Sequence, residues 1–188
     1  MIEFIDTDFE GLFRIKTKKK IDERGYFEKF FQDDLYSSAM KSKRIKQVNY
    51  SVTSKPGTVR GLHYQCPPYC ETKIVTCISG KIWDVAVDLR QSSPTYGEYF
   101  CTYLSSASQN DEPNMVLIPE GFAHGFQALE PSSALLYLHT EEYQPQHELV
   151  VSIDDPELSI NWPLSVAVQS RRDVLECVTL SELRNRDL

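Results

Sequence analysis

The chain has 188 residues, 41% hydrophobic and 25% charged, ordinary proportions for a globular protein long enough to bury one core. A formal net charge of −7 argues against nucleic acid as the main partner, and the basic runs at residues 16–20 and 41–46 are short enough to be solvated faces. No run approaches the roughly 18 apolar residues of a membrane span and no basic flank precedes an apolar N-terminal region, so no membrane role is expected and a cytoplasmic location is.

The first 30 or so residues hold strand-like pieces at 13–15 and 26–31 around Asp22-Glu23-Arg24-Gly25, where glycine after arginine suits a tight turn that sets Arg24 on a hairpin rim. Residues 32–43 form the best early helix, with Asp33 and Asp34 favourable near its N-terminus. From about residue 46 the pattern is β. Short apolar segments recur at 48–52, 59–64, 73–78, 82–89, 99–104, 114–118, 122–129, 134–139 and 148–153, between turn signals such as Ser79-Gly80 and Pro131-Ser132-Ser133. Many short, regularly punctuated strands predict a sandwich or barrel. Segment 82–89 is apolar on both alternating faces, as expected of two packed sheets or of a dimer covering the outer face. Residues 170–188 return to helical character, with Leu175, Val178 and Leu183 as packing positions. No linker or repeat interrupts the chain, so residues 1–188 are expected to form one domain. The five cysteines make an odd count without paired C-x-x-C spacing, which points to reduced thiols.

Two stretches carry the chemistry. Arg60-Gly61-Leu62-His63-Tyr64-Gln65 sits between a turn-forming run at 54–58 and Cys66-Pro67-Pro68, which places a histidine and an arginine on a pinned strand. Pro119-Glu120-Gly121-Phe122-Ala123-His124-Gly125-Phe126 contains Pro-x-Gly-x-x-His and resembles the second sequence motif of cupins. Metal-binding cupins carry His-x-His and a glutamate in their first motif; here the corresponding residues are His63-Tyr64-Gln65, and the nearest glutamate is Glu71. A catalytic iron, manganese or zinc needs about three protein ligands around open positions. His63, His124 and one carboxylate are a weak set, so a metal-free barrel is expected.

In order along residues 8–175 stand Asp22-Glu23-Arg24-Gly25, Gln47-Val48-Asn49, the His63 stretch, Thr72-Lys73-Ile74-Val75, the run from Asp84 to Arg90, Ser93-Pro94-Thr95-Tyr96-Gly97, the His124 stretch, and Asp154-Asp155-Pro156 before Trp162-Pro163. This set resembles the dTDP-4-dehydrorhamnose 3,5-epimerase family. The resemblance implies a mainly β, cupin jelly-roll barrel with a few short helices, working as a homodimer without metal or organic cofactor on a nucleotide-diphosphate 4-keto-6-deoxy sugar. The reaction implied is inversion at C3 and C5 of dTDP-4-dehydro-6-deoxy-D-glucose. It needs a base on one face, an acid on the other and a group to hold the enolate.

Histidine suits the base, and His63 occupies the family's base position. The family's acid falls on Tyr137, which strand alternation puts on one face with Leu135 and His139. Read without the family, Tyr137 is a core tyrosine with a satisfied hydroxyl. Lys73 alternates with Val75 and Cys77 and would meet developing enolate charge, or else snorkel to a rim. Asp173 either caps a helix, through Ser170-Arg171-Arg172-Asp173, or orients the base as the family's aspartate does. Arg24, Arg60 and Arg172 match positions that contact the nucleotide sugar, and Tyr143 matches the tyrosine that stacks on thymine. Glu28, Gln47, Asn49, His124 and Glu148 are further binding candidates.

The chain departs from the family pattern at Lys29, where Glu28 stands one residue early, at Glu142-Tyr143 in place of a tyrosine pair, and at Leu138 after the catalytic tyrosine. These positions bear on the substrate rather than the chemistry. A single-carbon epimerase, or one acting on a CDP- or GDP-linked keto sugar, is therefore the alternative; a metal-dependent cupin and a non-catalytic sugar-binding jelly roll are the other classes.

Overall fold

The computed structural model describes residues 2–108 and 112–186. It begins with β1 (Ile2–Asp6), β2 (Phe13–Thr17), the hairpin of β3 (Lys20–Asp22) and β4 (Gly25–Phe27), and the one-turn helix α1 (Asp33–Tyr36). Then come β5 (Gln47–Thr53), β6 (Val59–Gln65), β7 (Lys73–Ser79), β8 (Lys81–Asp88) and β9 (Tyr99–Ser105). They are followed by β10 (Met115–Ile118), β11 (Phe122–Ala128), β12 (Ser133–His139) and β13 (Glu148–Val151). Last are α2 (Arg171–Leu175), β14 (Cys177–Val178) and α3 (Leu180–Arg184).

Twelve strands form two six-stranded sheets, in the orders β1-β2-β10-β7-β12-β5 and β14-β13-β6-β11-β8-β9. From β5 to β8, and again from β9 to β13, consecutive strands alternate between the sheets, which is the winding of a jelly roll. Val75, Cys77 and Leu135 of the first sheet meet Ile82, Ala86, Leu104 and Phe126 of the second in a shared core. The outer face of the second sheet, with Leu62, Val85 and Val87, is covered by Leu158, Leu180 and Leu183. Tyr36 and Met40 cover Ile74, Leu117 and Leu138 on the outer face of the first. The two-sided apolarity of β8 thus comes from the chain's own C-terminal segment and needs no second copy to explain it.

The helix expected over 32–43 stops at Tyr36. Gln32 offers it no side-chain cap, and Lys41 and Ser42 take φ values of 50° and 62°, so burial of Tyr36 and Met40 wins over helical continuation. The strand expected at 26–31 ends at Phe27. Leu175 is 67% exposed rather than packed, whereas the expected Val178 and Leu183 do pack, joined by Leu180.

One irregularity decides where the chemistry sits. On β11, His124 and Phe126 are two residues apart, but their partners on β6, His63 and Arg60, are three apart. The extra residue makes a bulge, and it lets Arg60 and His63 face the same side although strict alternation would separate them. Gly61 accommodates it with φ of +119°, and a Cβ there would stand 2.6 Å from the Gly125 Cα. Gly61→Ala is expected to destabilise the fold by about 1–3 kcal/mol; urea denaturation measures this, and an unchanged midpoint would mean that β6 and β11 can part.

Candidate active site

A cleft of about 590 Å³ opens between the sheets beside the bulge. The first sheet lines it with Gln47, Asn49 and Ser51 of β5, Lys73 of β7, and Tyr137 and His139 of β12. The second contributes Arg60 and His63 of β6 with His124 and Phe126 of β11, while Tyr143, Glu148 and Arg172 form the rim. Register explains the first group. Tyr137 pairs with Asn49 and Val75, and His139 with Gln47 and Lys73, so the alternation of three strands points these side chains the same way.

His63 Nε2 lies 3.1 Å from Asp173 Oδ1. Asp173 sits at the third position of α2, where its amide donates to the capping Ser170 hydroxyl at 3.0 Å while its carboxylate turns to the histidine. Ser170 is thus the helix cap, and the Asp173 carboxylate meets His63. Burial alone would raise its pKa, but the His63 contact and hydrogen bonds from Ser170 and Gly61 outweigh burial and hold the carboxyl below its usual range. With Nε2 on Asp173, Nδ1 is the ring nitrogen that can take a proton.

Across the cleft, the Tyr137 hydroxyl is 3.1 Å from Ser51 Oγ, and burial raises its pKa well above the ordinary tyrosine value. Lys73 is 8% exposed and lies 2.9 Å from Glu71 Oε1, so its buried charge is paired and it does not snorkel. Glu71 Oε2 lies 2.7 Å from His139 Nδ1. Burial would raise the Glu71 pKa, yet Lys73 and His139 outweigh it and hold it at about 2. His124 Nε2 lies 2.8 Å from Asp84 Oδ2, and both side chains are buried. At the rim, Arg172 binds Glu148 and donates to the Tyr143 hydroxyl at 3.1 Å. Arg60 donates to Thr53 Oγ1 and the Val52 carbonyl; among the described residues it is the lining cation that meets no carboxylate.

The family model described as dTDP-4-dehydrorhamnose 3,5-epimerase matches residues 6–181. The chain belongs to the dTDP-4-dehydrorhamnose 3,5-epimerase family. The dTDP-4-dehydrorhamnose 3,5-epimerase of Sinorhizobium fredii is 37% identical over 160 residues, 85% of this chain and 80% of that protein. The dTDP-4-dehydrorhamnose 3-epimerase of Streptomyces niveus is 37% identical over 180 residues, 95% of this chain and 84% of that protein. The Legionella pneumophila dTDP-6-deoxy-D-glucose-3,5-epimerase, solved in complex with dTDP-4-keto-L-rhamnose, superposes with a TM-score of 0.86 at 36% identity, covering 97% of each chain. The jelly roll expected from the family resemblance is the fold observed.

Of the residues singled out from the epimerase family's motifs, Gln47, Asn49, Arg60, His63, Lys73, His124, Tyr137, Tyr143, Glu148 and Arg172 line one cleft, with Asp173 behind His63. Arg24 and Glu28 do not. Arg24 is at the tip of the β3–β4 hairpin, its side chain 83% exposed and its guanidinium satisfied by Asp22. Glu28 is occupied by Thr17 and Asn114, away from the cleft. Sequence reasoning passed over Glu71, Ser51, Asp84 and His139 as site residues. The signal for Glu71 was its place two residues before Lys73, and for Asp84 its place between the inward-facing Ile82 and Ala86.

No group of three or more histidine, cysteine or acidic side chains stands close enough to share a metal ion among the described residues. The depressed Glu71 pKa has a consequence for stability. Lowered in the folded state from 4.5 to about 2, it contributes stability that is present above about pH 4.5 and lost as pH falls towards 2. Glu71→Gln is expected to flatten this acid limb by up to about 3 kcal/mol. Urea midpoints at pH 5, 4 and 3 measure it, and parallel curves for the two proteins would contradict it.

Proposed function

We propose that this protein inverts C3 and C5 of dTDP-4-dehydro-6-deoxy-D-glucose by proton transfer between His63 and Tyr137. The observation that carries this reading is that His63 belongs to one sheet and Tyr137 to the other, with a sugar-sized cleft between them. Inversion needs a proton taken from one face of the ring and another delivered to the opposite face, and two side chains on facing sheets meet that requirement. His63 Nδ1 removes the C–H proton beside the 4-keto group, and Asp173 stabilises the imidazolium that forms. The electron pair moves onto the keto oxygen, where Lys73 stabilises the enolate. Tyr137 then gives its hydroxyl proton to the other face of the carbon, and repetition at the second carbon completes the product. Arg60 suits the diphosphate, because its guanidinium has no carboxylate to leave, and Tyr143 suits the base.

In heavy water, deuterium is expected to enter C3 and C5 of dTDP-4-keto-6-deoxyglucose, as read by NMR. His63→Ala should abolish exchange, whereas Tyr137→Phe should retain proton abstraction and impair inversion. Correctly folded protein that incorporates no deuterium would refute the reading. The Streptomyces niveus relative, a 3-epimerase, supports a second reading in which only C3 is inverted. Exchange confined to C3 would select it.

We further infer a cytoplasmic homodimer. The β3–β4 hairpin exposes Ile21, Tyr26 and Phe27 by 75%, 59% and 65%, and β5 exposes Val48, Tyr50 and Val52, the residues that alternate with Gln47, Asn49 and Ser51. Apolar surface of this kind favours association with a second copy, and Arg24 at the hairpin tip would be carried to the contact. Light scattering should give twice the chain mass, and Phe27→Asp should shift it towards the monomer. A monomeric wild type would end the idea.

A further inference from the structure

Proton transfer as described uses one histidine–carboxylate pair, yet the cleft holds another on the opposite sheet. Glu71 and His139 each keep only 11% of their side chains exposed. One Glu71 oxygen takes the Lys73 ammonium at 2.9 Å, and the other takes His139 Nδ1 at 2.7 Å. The imidazole lies beside the Tyr137 ring, with centroids 6.0 Å apart and planes inclined by 23°. Gln47 Nε2 donates to Asn49 Oδ1 at 3.0 Å, which leaves Asn49 Nδ2 facing His139 Nε2 at 3.3 Å. An amide donor at Nε2 assigns the ring proton to Nδ1, towards Glu71.

We propose that Glu71 is a positioning residue that holds the enolate stabiliser and the proton donor as one unit, gripping Lys73 directly and Tyr137 through His139. The proposal rests on the epimerase reading. A carboxylate fits the task because it offers two acceptor oxygens to two donors, and its charge compensates a buried ammonium. Glutamine is nearly isosteric but has one acceptor. If it keeps Lys73, its amide N–H₂ faces His139, the ring proton moves to Nε2, and there it meets the Asn49 donor. The damage then spreads along β5 and β12 without any change in the volume of the cleft. A purely structural Glu71 would affect stability alone.

The test compares wild type, Glu71→Gln and His139→Gln in heavy water with dTDP-4-keto-6-deoxyglucose, measuring exchange and inversion separately. For His139→Gln, His63 is untouched, so inversion should fall further than exchange and their ratio should shift at least about fivefold. For Glu71→Gln, exchange and kcat should both drop about tenfold or more with KM within about twofold, because the lost interaction acts on the enolate and not on the nucleotide. Nitrogen-15 NMR of His139 should show its proton moving from Nδ1 to Nε2. Variants that bind dTDP like wild type and keep its kcat, exchange ratio and His139 tautomer would overturn the proposal. Should Glu71→Gln fail to fold, the His139→Gln ratio decides. Absence of exchange in the wild type refutes the epimerase reading and this inference with it, an outcome distinct from an active wild type with indifferent variants.

Discussion

The approach of two glycines governs the rest of this structure. Gly61 on β6 and Gly125 on β11 touch so closely that a Cβ on Gly125 would stand 2.6 Å from the Arg60 carbonyl oxygen. That contact permits the bulge, and the bulge turns Arg60 and His63 to the same side of the sheet. A guanidinium and an imidazole then line the same cleft. The same stretch places the Gly61 amide where it supports the Asp173 carboxylate, so backbone geometry and base orientation share one cause.

Electrostatics within the cleft follow a consistent division. Charges that must stay put are paired: Lys73 with Glu71, Arg172 with Glu148, His63 with Asp173, His124 with Asp84. Arg60 is held by a hydroxyl and a carbonyl, which leaves its charge uncompensated. A negatively charged ligand gains most where no carboxylate must first be displaced, and this bends a molecule of net charge −7 towards an anion at one local point. Lys73 and Tyr137 stand on β7 and β12, interior strands of their sheet, where neighbours on both sides fix the backbone.

The strand pattern was legible because turn chemistry and apolar runs are local properties; each β segment expected between residues 48 and 153 is present within two residues of its bounds. Helix 32–43 was legible only at its acidic start, because Asp33 and Asp34 favour a first turn but do not say where it ends, and Tyr36 and Met40 reach the sheet although the helix stops between them. His63, Tyr137 and Lys73 were legible through motifs, and so was Asp173 behind His63, but the carboxylates beside Lys73 and His124 were not. Glu71 and Asp84 look like ordinary acidic residues until register brings His139 and His124 beside them, and that is long-range information. Arg24 marks the opposite limit: its motif was clear, yet a single copy of the chain keeps it on an exposed hairpin.

The outer face of the second sheet is sealed by the segment that also carries Asp173 and Arg172. Every strand of the first sheet, and all but β14 of the second, precedes that segment in the chain. A protein emerging from the ribosome can therefore assemble both walls of the cleft while His63 still lacks its counter-charge. Docking of that segment then completes the hydrophobic seal and brings Asp173 to His63 in a single event.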